Sequence, residues 1–431
     1  MASLWAFRFL LCYIAILCVQ PQNRFTFLHP MHIADISVVG ALVLHFLSAA
    51  QEGQRFIRLG PATVTALLLV FFSMISLYIG PWQSNANWNG NIDLIVKNSL
   101  VLIMVEAMAF TVQRVWAVQA TLLLSTLWWV KGGLRLSASG ATYAGDRLMG
   151  PAVSLIENPN GFAYLMTVMI PLYLYFYQKS NRWYLRYAFL AVALASVYIV
   201  LETGSRTGLI ALLFVGAFLL PKYGSQHKVA LAAGGLIVFL IVGLISPGNI
   251  ERFKSIPDSI RSFFADADEG ADMGGMTQDE QSAYERKMKN KHTWKLIKDY
   301  PLFGVGVNAD DKAFLDWEKY PFAFGQVHNE ILYAGKQMGF IGMGLYLSLM
   351  WNVFWGGRRV QKAAKGWWPA VEDLGWTFKM QALVFMVGGF FSPVPWNPLF
   401  LTLAGSASAL VDNLRKGSYT RNVQASPQVA A

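Results

Sequence analysis

Arg206 is the residue whose type and neighbours most favour the binding of an anion. It stands in ETGSRTGL between two apolar stretches, and its planar, permanently charged guanidinium can bind a diphosphate through paired hydrogen bonds. Ser205 adds a hydroxyl donor, while Gly204 and Gly208 let a ligand approach the backbone. The alternative role is an interfacial anchor in contact with lipid headgroups, and the spacing leaves both roles open.

His328, in GQVHNEILYAG, is the best candidate for proton transfer, because a histidine titrates near neutral pH and can accept the proton of a hydroxyl nucleophile. A structural histidine bonded to the backbone is the alternative, and His292 is a competitor. Arg286 lies in SAYERKMKNKHTWKLIKDYPLFGVG, a dense basic stretch that is suited to clamp an anionic substrate. Lys289 and Lys291 are rivals of Arg286 for that role.

Two charged residues fall within one apolar stretch, where charge is costly and therefore informative. Lys97 is a candidate contact for a carrier phosphate, whereas Glu106 is expected to pair with another helix. The histidines lack the H-x-x-x-H and H-x-x-E-H spacings of zinc sites, so no metal site is predicted. No P-loop or Gly-rich dinucleotide turn occurs, so no cofactor is predicted either.

The composition is that of a membrane protein. The 431 residues are 55% hydrophobic and 14% charged, whereas soluble domains carry about 25% charged residues. The net charge of +10 comes mostly from short connections between apolar stretches, so it indicates contact with membrane lipids and not with nucleic acid. Cys12 and Cys18 fit neither a disulfide framework nor a metal site.

Continuous apolar runs predict an all-α polytopic membrane protein with about 12 transmembrane helices. The runs lie near residues 3–20, 33–50, 61–80, 93–112, 115–131, 160–178, 185–202, 206–221, 228–247, 337–356, 374–391 and 396–413. If the N-terminus is cytoplasmic, the inner connections are basic and the short outer connections are nearly free of Lys and Arg. This alternation predicts that both termini are cytoplasmic.

One large hydrophilic region, residues 248–336, is predicted to lie outside and to carry function. Apolar residues from Ile250 to Phe264 have the near-helical spacing of a helix that lies on the membrane. A second helix is predicted from Gln281 to Tyr300, where Pro301 ends it. The chain thus divides into nine spans over residues 1–247, the loop 248–336, three spans over 337–413 and a cytoplasmic tail, 414–431.

Four motifs resemble the O-antigen ligase superfamily, which comprises lipopolysaccharide O-antigen ligases, related O-antigen polymerases and protein O-oligosaccharyltransferases. They are ENPNGFAYLM with Asn160, ETGSRTGLI with Arg206, SAYER…DYPLFGVG with Arg286 placed 15 residues before Pro301, and VHNEIL with His328 and Asn329. The resemblance covers about residues 90–390. VKGGLRLSASGATY, which contains Lys131, further resembles the exosortase-associated O-glycosylation ligase branch. One departure is Asn290, which stands where the family usually has Trp, four residues after the arginine.

The resemblance implies a metal-independent, inverting glycosyltransferase with a GT-C-like membrane fold and one large helical periplasmic loop. Arg206 and Arg286 would hold the diphosphate of an undecaprenyl-diphosphate-linked glycan donor, and His328 would activate an acceptor hydroxyl. Substrate contacts are expected from Lys97, Lys131, Arg147, Asn160, Ser205 and Asn329. The acceptor would be a glycan, lipid A-core or a protein, on the periplasmic face of a bacterial inner membrane.

Two other functions stay open at this stage. A repeat-unit polymerase of the same superfamily needs the same donor chemistry, so the motifs do not separate it from a ligase. A flippase for lipid-linked glycans would place cations along a central cavity, whereas the candidate residues here concentrate in one outer loop. Glycan identity and oligomeric state are not specified by the sequence.

Overall fold

The structure, a computed structural model, describes residues 1–53, 55–81, 90–140, 142–143, 147–151, 156–223, 240, 247–254, 278–307, 319–320, 322–323, 327–392 and 396–415. Within these ranges the regular secondary structure is helical apart from one short antiparallel ladder. The helices are α1 (Ala2–Val19), α2 (Ile33–Glu52), α3 (Pro61–Ile79), α4 (Asn91–Met108), α5 (Val112–Ala138), α6 (Pro159–Lys179), α7 (Trp183–Glu202), α8 (Arg206–Tyr223), α9 (Pro247–Lys254), α10 (Gln278–Asp299), α11 (Glu330–Ala364), α12 (Pro369–Gly389) and α13 (Pro398–Arg415), with 3-10 turns at Pro21–Asn23 and Thr26–Met31. The ladder pairs β1 (Thr142–Tyr143) with β2 (Arg147–Leu148).

The helices agree with the predicted class of helical membrane protein. Five described helical segments are long and apolar enough to cross a membrane, namely Ala2–Val19, Thr26–Glu52, Pro61–Ile79, Trp183–Glu202 and Glu330–Ala364. The predicted count of about 12 spans is therefore not confirmed. Each predicted apolar run overlaps a described helix except the run near 228–247, most of which lies outside the described residues.

Helix α6 is the most completely buried of the described helices, and three other helices pack against it. Every residue from Pro159 to Tyr175 is buried, and the helix packs against α7, α8 and α12. Close approach depends on small residues: a Cβ on Gly388 of α12 would lie 2.2 Å from the ring of Tyr164. A larger side chain at that position would separate the two helices.

Glu106 is bonded to two other helices, so the predicted role as an interhelical partner is confirmed. One carboxylate oxygen, Oε2, accepts hydrogen bonds from the Thr63 amide at 3.1 Å and the Thr63 hydroxyl at 2.7 Å. The other oxygen accepts from the Ser408 hydroxyl at 2.9 Å. The charge in this apolar helix therefore ties α4 to α3 and α13.

The large hydrophilic region contributes two described helices. α10 ends at Asp299, just before Pro301, close to the predicted bound. α9 covers the start of the predicted membrane-surface helix, and the rest of that prediction, residues 255–277, lies outside the described residues. The predicted division of the chain into spans, loop and tail stays a prediction.

Helix α11 begins at Glu330, well before the apolar run that starts near residue 337. The first two turns include Glu330, Lys336 and Gln337, which lower the local hydropathy but are all buried in the protein. Met338 and Gly339 have non-helical backbone angles and form a kink. These polar turns come directly after His328 and Asn329 in the sequence.

Candidate active site

The corner between α7 and α8 sets the position of Arg206. Three residues separate the two helices, and Arg206 is the first residue of α8, half-buried. Gly204 has a φ of +57°, and a Cβ there would lie 2.2 Å from Asn249 Oδ1, so the corner requires glycine. Ser205 Oγ accepts a hydrogen bond from the Gly208 amide at 3.1 Å and caps α8. The guanidinium is therefore anchored at a helix N-terminus, whose own partial charge is also positive.

Arg147, Asn160 and Ser205 meet at this corner. Arg147 donates from Nη2 to Asn160 Oδ1 at 2.8 Å and from Nε to the Thr203 carbonyl at 3.0 Å. Ser205 Oγ donates to the same Asn160 oxygen at 2.9 Å. All four residues are buried, and we call them the corner network. Three residues predicted to bind substrate are thus bonded to one another, and together they hold the segment that ends at Arg206.

Asn249 also supports the corner and was missed by the sequence reasoning. Its Nδ2 donates to the Glu202 carbonyl at 2.9 Å, which ties α9 to the end of α7. The available signal was weak, since a Pro-Gly-Asn sequence after an apolar run indicates a turn but not its partner.

His328 lies immediately before α11, close to the cations of α10. Burial, and then the positive charges of Arg286 and Lys289, lower the pKa of its imidazole to about 3. The ring is therefore neutral at physiological pH. Its Nδ1 is buried and has no hydrogen-bond partner within the described part of the chain. Arg286 and His328, both predicted to be catalytic, are thus neighbours, and Lys289, the predicted rival, joins them.

The turn after α10 is bonded to the kink of α11. Val305 donates its amide to the Lys336 carbonyl at 2.9 Å, and Phe340 donates its amide to the Pro301 carbonyl at 2.7 Å. Gly304 has a φ of +65°, and a Cβ there would lie 2.5 Å from the Lys336 carbonyl oxygen. The Pro-x-x-Gly-x-Gly sequence therefore fixes the basic helix against the start of α11.

A tyrosine–carboxylate contact joins α6 to α11. Tyr164, one turn after Asn160, interacts with the Glu330 carboxylate, and Tyr346 donates to Glu330 Oε2 at 2.5 Å. Glu330 is two residues after His328. The corner network and the histidine therefore lie at the same end of the helix bundle. Sequence reasoning missed Glu330, although its place in VHNEIL was a usable signal.

Two predicted substrate contacts lie apart from this arrangement. Lys97 forms an ion pair with Asp93 of its own helix at 2.9 Å. Lys131 Nζ lies 5.4 Å from the ring centre of Trp128. Both lysines are exposed, and among the described residues neither contacts the corner network or the histidine.

Two further candidates have partners that suggest scaffold roles. Asn329 Oδ1 accepts from the amides of Ile331 and Leu332 at 3.0 Å each, which makes Asn329 the N-cap of α11. His292, the competitor of His328, packs its ring 5.4 Å from the ring of Phe322. No group of three His, Cys, Asp or Glu side chains that could hold a metal ion is found among the residues described.

Two family models match the chain. Residues 190–347 match the family described as O-antigen ligase, a range that contains Arg206, Arg286 and His328. Residues 4–181 match a second model, described as a family of unknown function (DUF5935), and this range contains Arg147 and Asn160. No curated protein matches the chain.

Proposed function

This chain belongs to the O-antigen ligase superfamily, and from that premise we propose that it is an inverting glycosyltransferase of the bacterial inner membrane. It transfers an oligosaccharide or polysaccharide from undecaprenyl diphosphate to an acceptor hydroxyl at the periplasmic face. The observation that carries this proposal is a half-buried, neutral histidine, His328, beside the cations Arg286 and Lys289.

In the proposed reaction the acceptor oxygen attacks the anomeric carbon of the donor. A new C–O bond forms on the face opposite the leaving group, so the configuration inverts as the bond to the diphosphate breaks. The electron pair of the broken bond goes to the diphosphate oxygen, and the hydroxyl proton goes to His328. A base in this position contributes about 10²–10⁴-fold to the rate, and the imidazole can act as one because it is neutral.

Arg206 and Arg286 stabilise the negative charge on the departing diphosphate. Well-placed donors in a poorly hydrated site are worth on the order of 3–4 kcal/mol each. Donor binding also acts on His328, because the charge of the diphosphate offsets the positive charges of Arg286 and Lys289. The pKa of the imidazole then rises from its value of about 3 in the free protein. Its strength as a base therefore increases once the donor is bound.

The proposed mechanism needs no metal ion, since guanidinium groups supply the positive charge that a metal would otherwise supply. The corner network positions Arg206 for the diphosphate. Lys97, Lys131 and Asn329 are retained as proposed substrate contacts that act at the edges of the bound donor or acceptor.

The orientation of the protein is proposed from charge. Basic residues cluster in alternate connections, such as Arg55 with Arg58 and Arg358 with Arg359, and cytoplasmic connections of membrane proteins carry this excess. Both termini are accordingly cytoplasmic, and the corner network and His328 face the periplasm. The acceptor is a glycan, lipid A-core or a protein.

Incubation of the purified protein with an undecaprenyl-diphosphate oligosaccharide and separate acceptors tests the proposal. We expect glycan to appear on an acceptor, with undecaprenyl diphosphate released in equal amount. Transfer of one block indicates a ligase, and a growing ladder on the donor itself indicates a polymerase. Movement of intact donor across vesicles without any transfer would identify a flippase instead.

A further inference from the structure

One face of α10 is turned toward α11. Arg286, Asn290, Thr293 and Ile297 follow one another at intervals of three or four residues, so they form a row along one side of the helix. At the end of this row Ile297 touches α11, because a Cβ on Gly335 would lie 2.7 Å from Ile297 Cδ1. The row therefore faces the helix that follows His328.

The contacts between α10 and α11 also show which residues of the two segments lie at the same height along the helix axes. Ile297 lies against Gly335, and the Pro301 carbonyl accepts from the Phe340 amide, so the two segments run in the same direction. Seven residues before Ile297 is Asn290, and seven residues before Gly335 is His328. The step back along α10 is about 10 Å. The other step runs from Gly335 to Glu330 within the helix and continues through the non-helical residues before Glu330. It brings His328 to about the height of Asn290, in agreement with the action of the Arg286 and Lys289 charges on its imidazole.

Three polar atoms between α10 and His328 have no hydrogen-bond partner among the described residues. They are Asn290 Oδ1, Thr293 Oγ1 and His328 Nδ1, and Thr293 is completely buried. Buried polar atoms are nearly always bonded, so a cluster without partners calls for a missing partner. The cluster lies beside the positive charges of Arg286 and Lys289, outside the corner network.

The chemistry of the three atoms defines the ligand. Asn290 Oδ1 accepts hydrogen bonds, and we take His328 Nδ1 as the basic nitrogen, which accepts one, whereas the Thr293 hydroxyl can donate or accept. A single alcohol donates one hydrogen bond and cannot serve both acceptors. A ring with neighbouring hydroxyls can serve both, and a third hydroxyl or ring oxygen can bond to Thr293.

We propose that Asn290 and Thr293 form a subsite that binds the hydroxyls of the acceptor's terminal sugar and presents one of them to His328. This inference rests on the proposed function, in which the histidine receives the proton of the acceptor. The acceptor, and not the donor, is assigned to this face because it must reach the base.

The test uses Asn290→Leu and Thr293→Val, which remove the polar atoms and nearly keep the volume. The purified full-length protein receives undecaprenyl-diphosphate oligosaccharide as donor, with rough lipopolysaccharide or a Ser/Thr-rich peptide as the acceptor probe. We expect transfer to the carbohydrate, an acceptor KM raised about five- to tenfold in each variant, and a donor KM within about twofold of wild type. Lys298→Leu, at an exposed position of α10, serves as the matched control and should behave like wild type.

Thr293→Ser keeps the hydroxyl and should restore the acceptor KM, which a purely structural role would not predict. A raised donor KM with an unchanged acceptor KM would show that the face binds the donor sugar and would overturn the assignment. Transfer to the peptide at wild-type efficiency by both variants would overturn it as well. If wild-type protein transfers to neither probe, the proposed function itself fails, a result distinct from an active enzyme with indifferent variants.

Discussion

The corner network and the face of α10 that is turned toward α11 differ in the hydrogen bonding of their buried polar atoms. In the corner network Arg147 and Ser205 both donate to Asn160 Oδ1, and Arg147 also donates to the Thr203 carbonyl. On the face of α10 and at His328, comparable atoms are buried without partners in the described structure. A satisfied network stabilises and positions, whereas unsatisfied atoms are a cost that a ligand can relieve. We therefore interpret the first region as a scaffold for Arg206 and the second as the proposed binding face for the acceptor.

The loss of His328 should have the largest effect on activity. His328→Ala removes the proposed base, so transfer should fall by about 10²–10⁴-fold while the protein still inserts and folds in membranes. Product formation by purified protein measures this. His29→Ala, at an exposed position, is the control and should retain full activity. Normal transfer by His328→Ala would remove the histidine from the mechanism.

The loss of Arg286 should have the second largest effect on activity. Comparison with the neighbouring lysines tests which cation of α10 contributes most to transfer. Arg286→Ala loses a guanidinium that is proposed to bind the diphosphate, so kcat should fall about 10²–10³-fold. Lys289→Ala should lose less, because an ammonium does not offer paired hydrogen bonds, and the exposed Lys291→Ala should lose least. The reverse order among these three variants would show that the wrong cation has been assigned.

The thermal stability of variants should distinguish the corner network from the binding face of α10 most clearly. Asn160→Ala leaves the buried guanidinium of Arg147 and the hydroxyl of Ser205 without their shared acceptor, which costs about 1–3 kcal/mol. Thr293→Val removes a buried hydroxyl that has no partner among the described residues, so the melting temperature should stay the same or rise. Melting of both purified variants in one detergent makes the comparison. A drop for Thr293→Val equal to that for Asn160→Ala would abolish the distinction between scaffold and binding face.

The pH dependence follows from the lowered pKa of His328. Since the folded pKa is about 3, against about 6.5 in the unfolded chain, the residue's contribution to stability is lost as the pH falls from 6.5 toward 3. In the free enzyme the imidazole stays neutral through this range. The value of kcat/KM for the donor, which reports the free enzyme, should therefore show no acid inflexion near pH 6.5. An inflexion there would mean that the histidine titrates normally.

Chelation of divalent metal ions should have the smallest effect on the transfer rate. Because the positive charges of the proposed site belong to the chain, EDTA should change the transfer rate by less than about twofold. Assays with and without chelator, followed by addition of Mg²⁺ or Ca²⁺, measure this. Complete loss with EDTA and recovery with one cation would require a metal in the mechanism.

Hydropathy and motifs predict much of this arrangement, because these features depend on residues that are close together in the sequence. Pro301 cannot continue a helix, so the end of α10 could be placed to within two residues. The side-chain chemistry of Arg286 and His328 marks both as candidates, and they are neighbours in the structure. Even the pairing of Lys97 with Asp93 was within reach, because a spacing of four residues places both on one helix face.

Tertiary contacts account for what could not be predicted. Arg147, Asn160 and Ser205 are far apart in sequence, and nothing in their spacing indicates that one amide oxygen would accept from both other side chains. The start of α11 was misplaced because Glu330 and Lys336 look polar to a hydropathy scale, although both are buried in protein. The alignment of Asn290 with His328 likewise depends on the packing of Ile297 against Gly335.

The most direct test of the central claim is a cryo-EM structure of the protein with its undecaprenyl-diphosphate glycan. We expect diphosphate oxygens within hydrogen-bond distance of both Arg206 and Arg286, with His328 on the opposite side of the anomeric carbon. A diphosphate bound at the other end of the helix bundle, or held by neither arginine, would contradict the account.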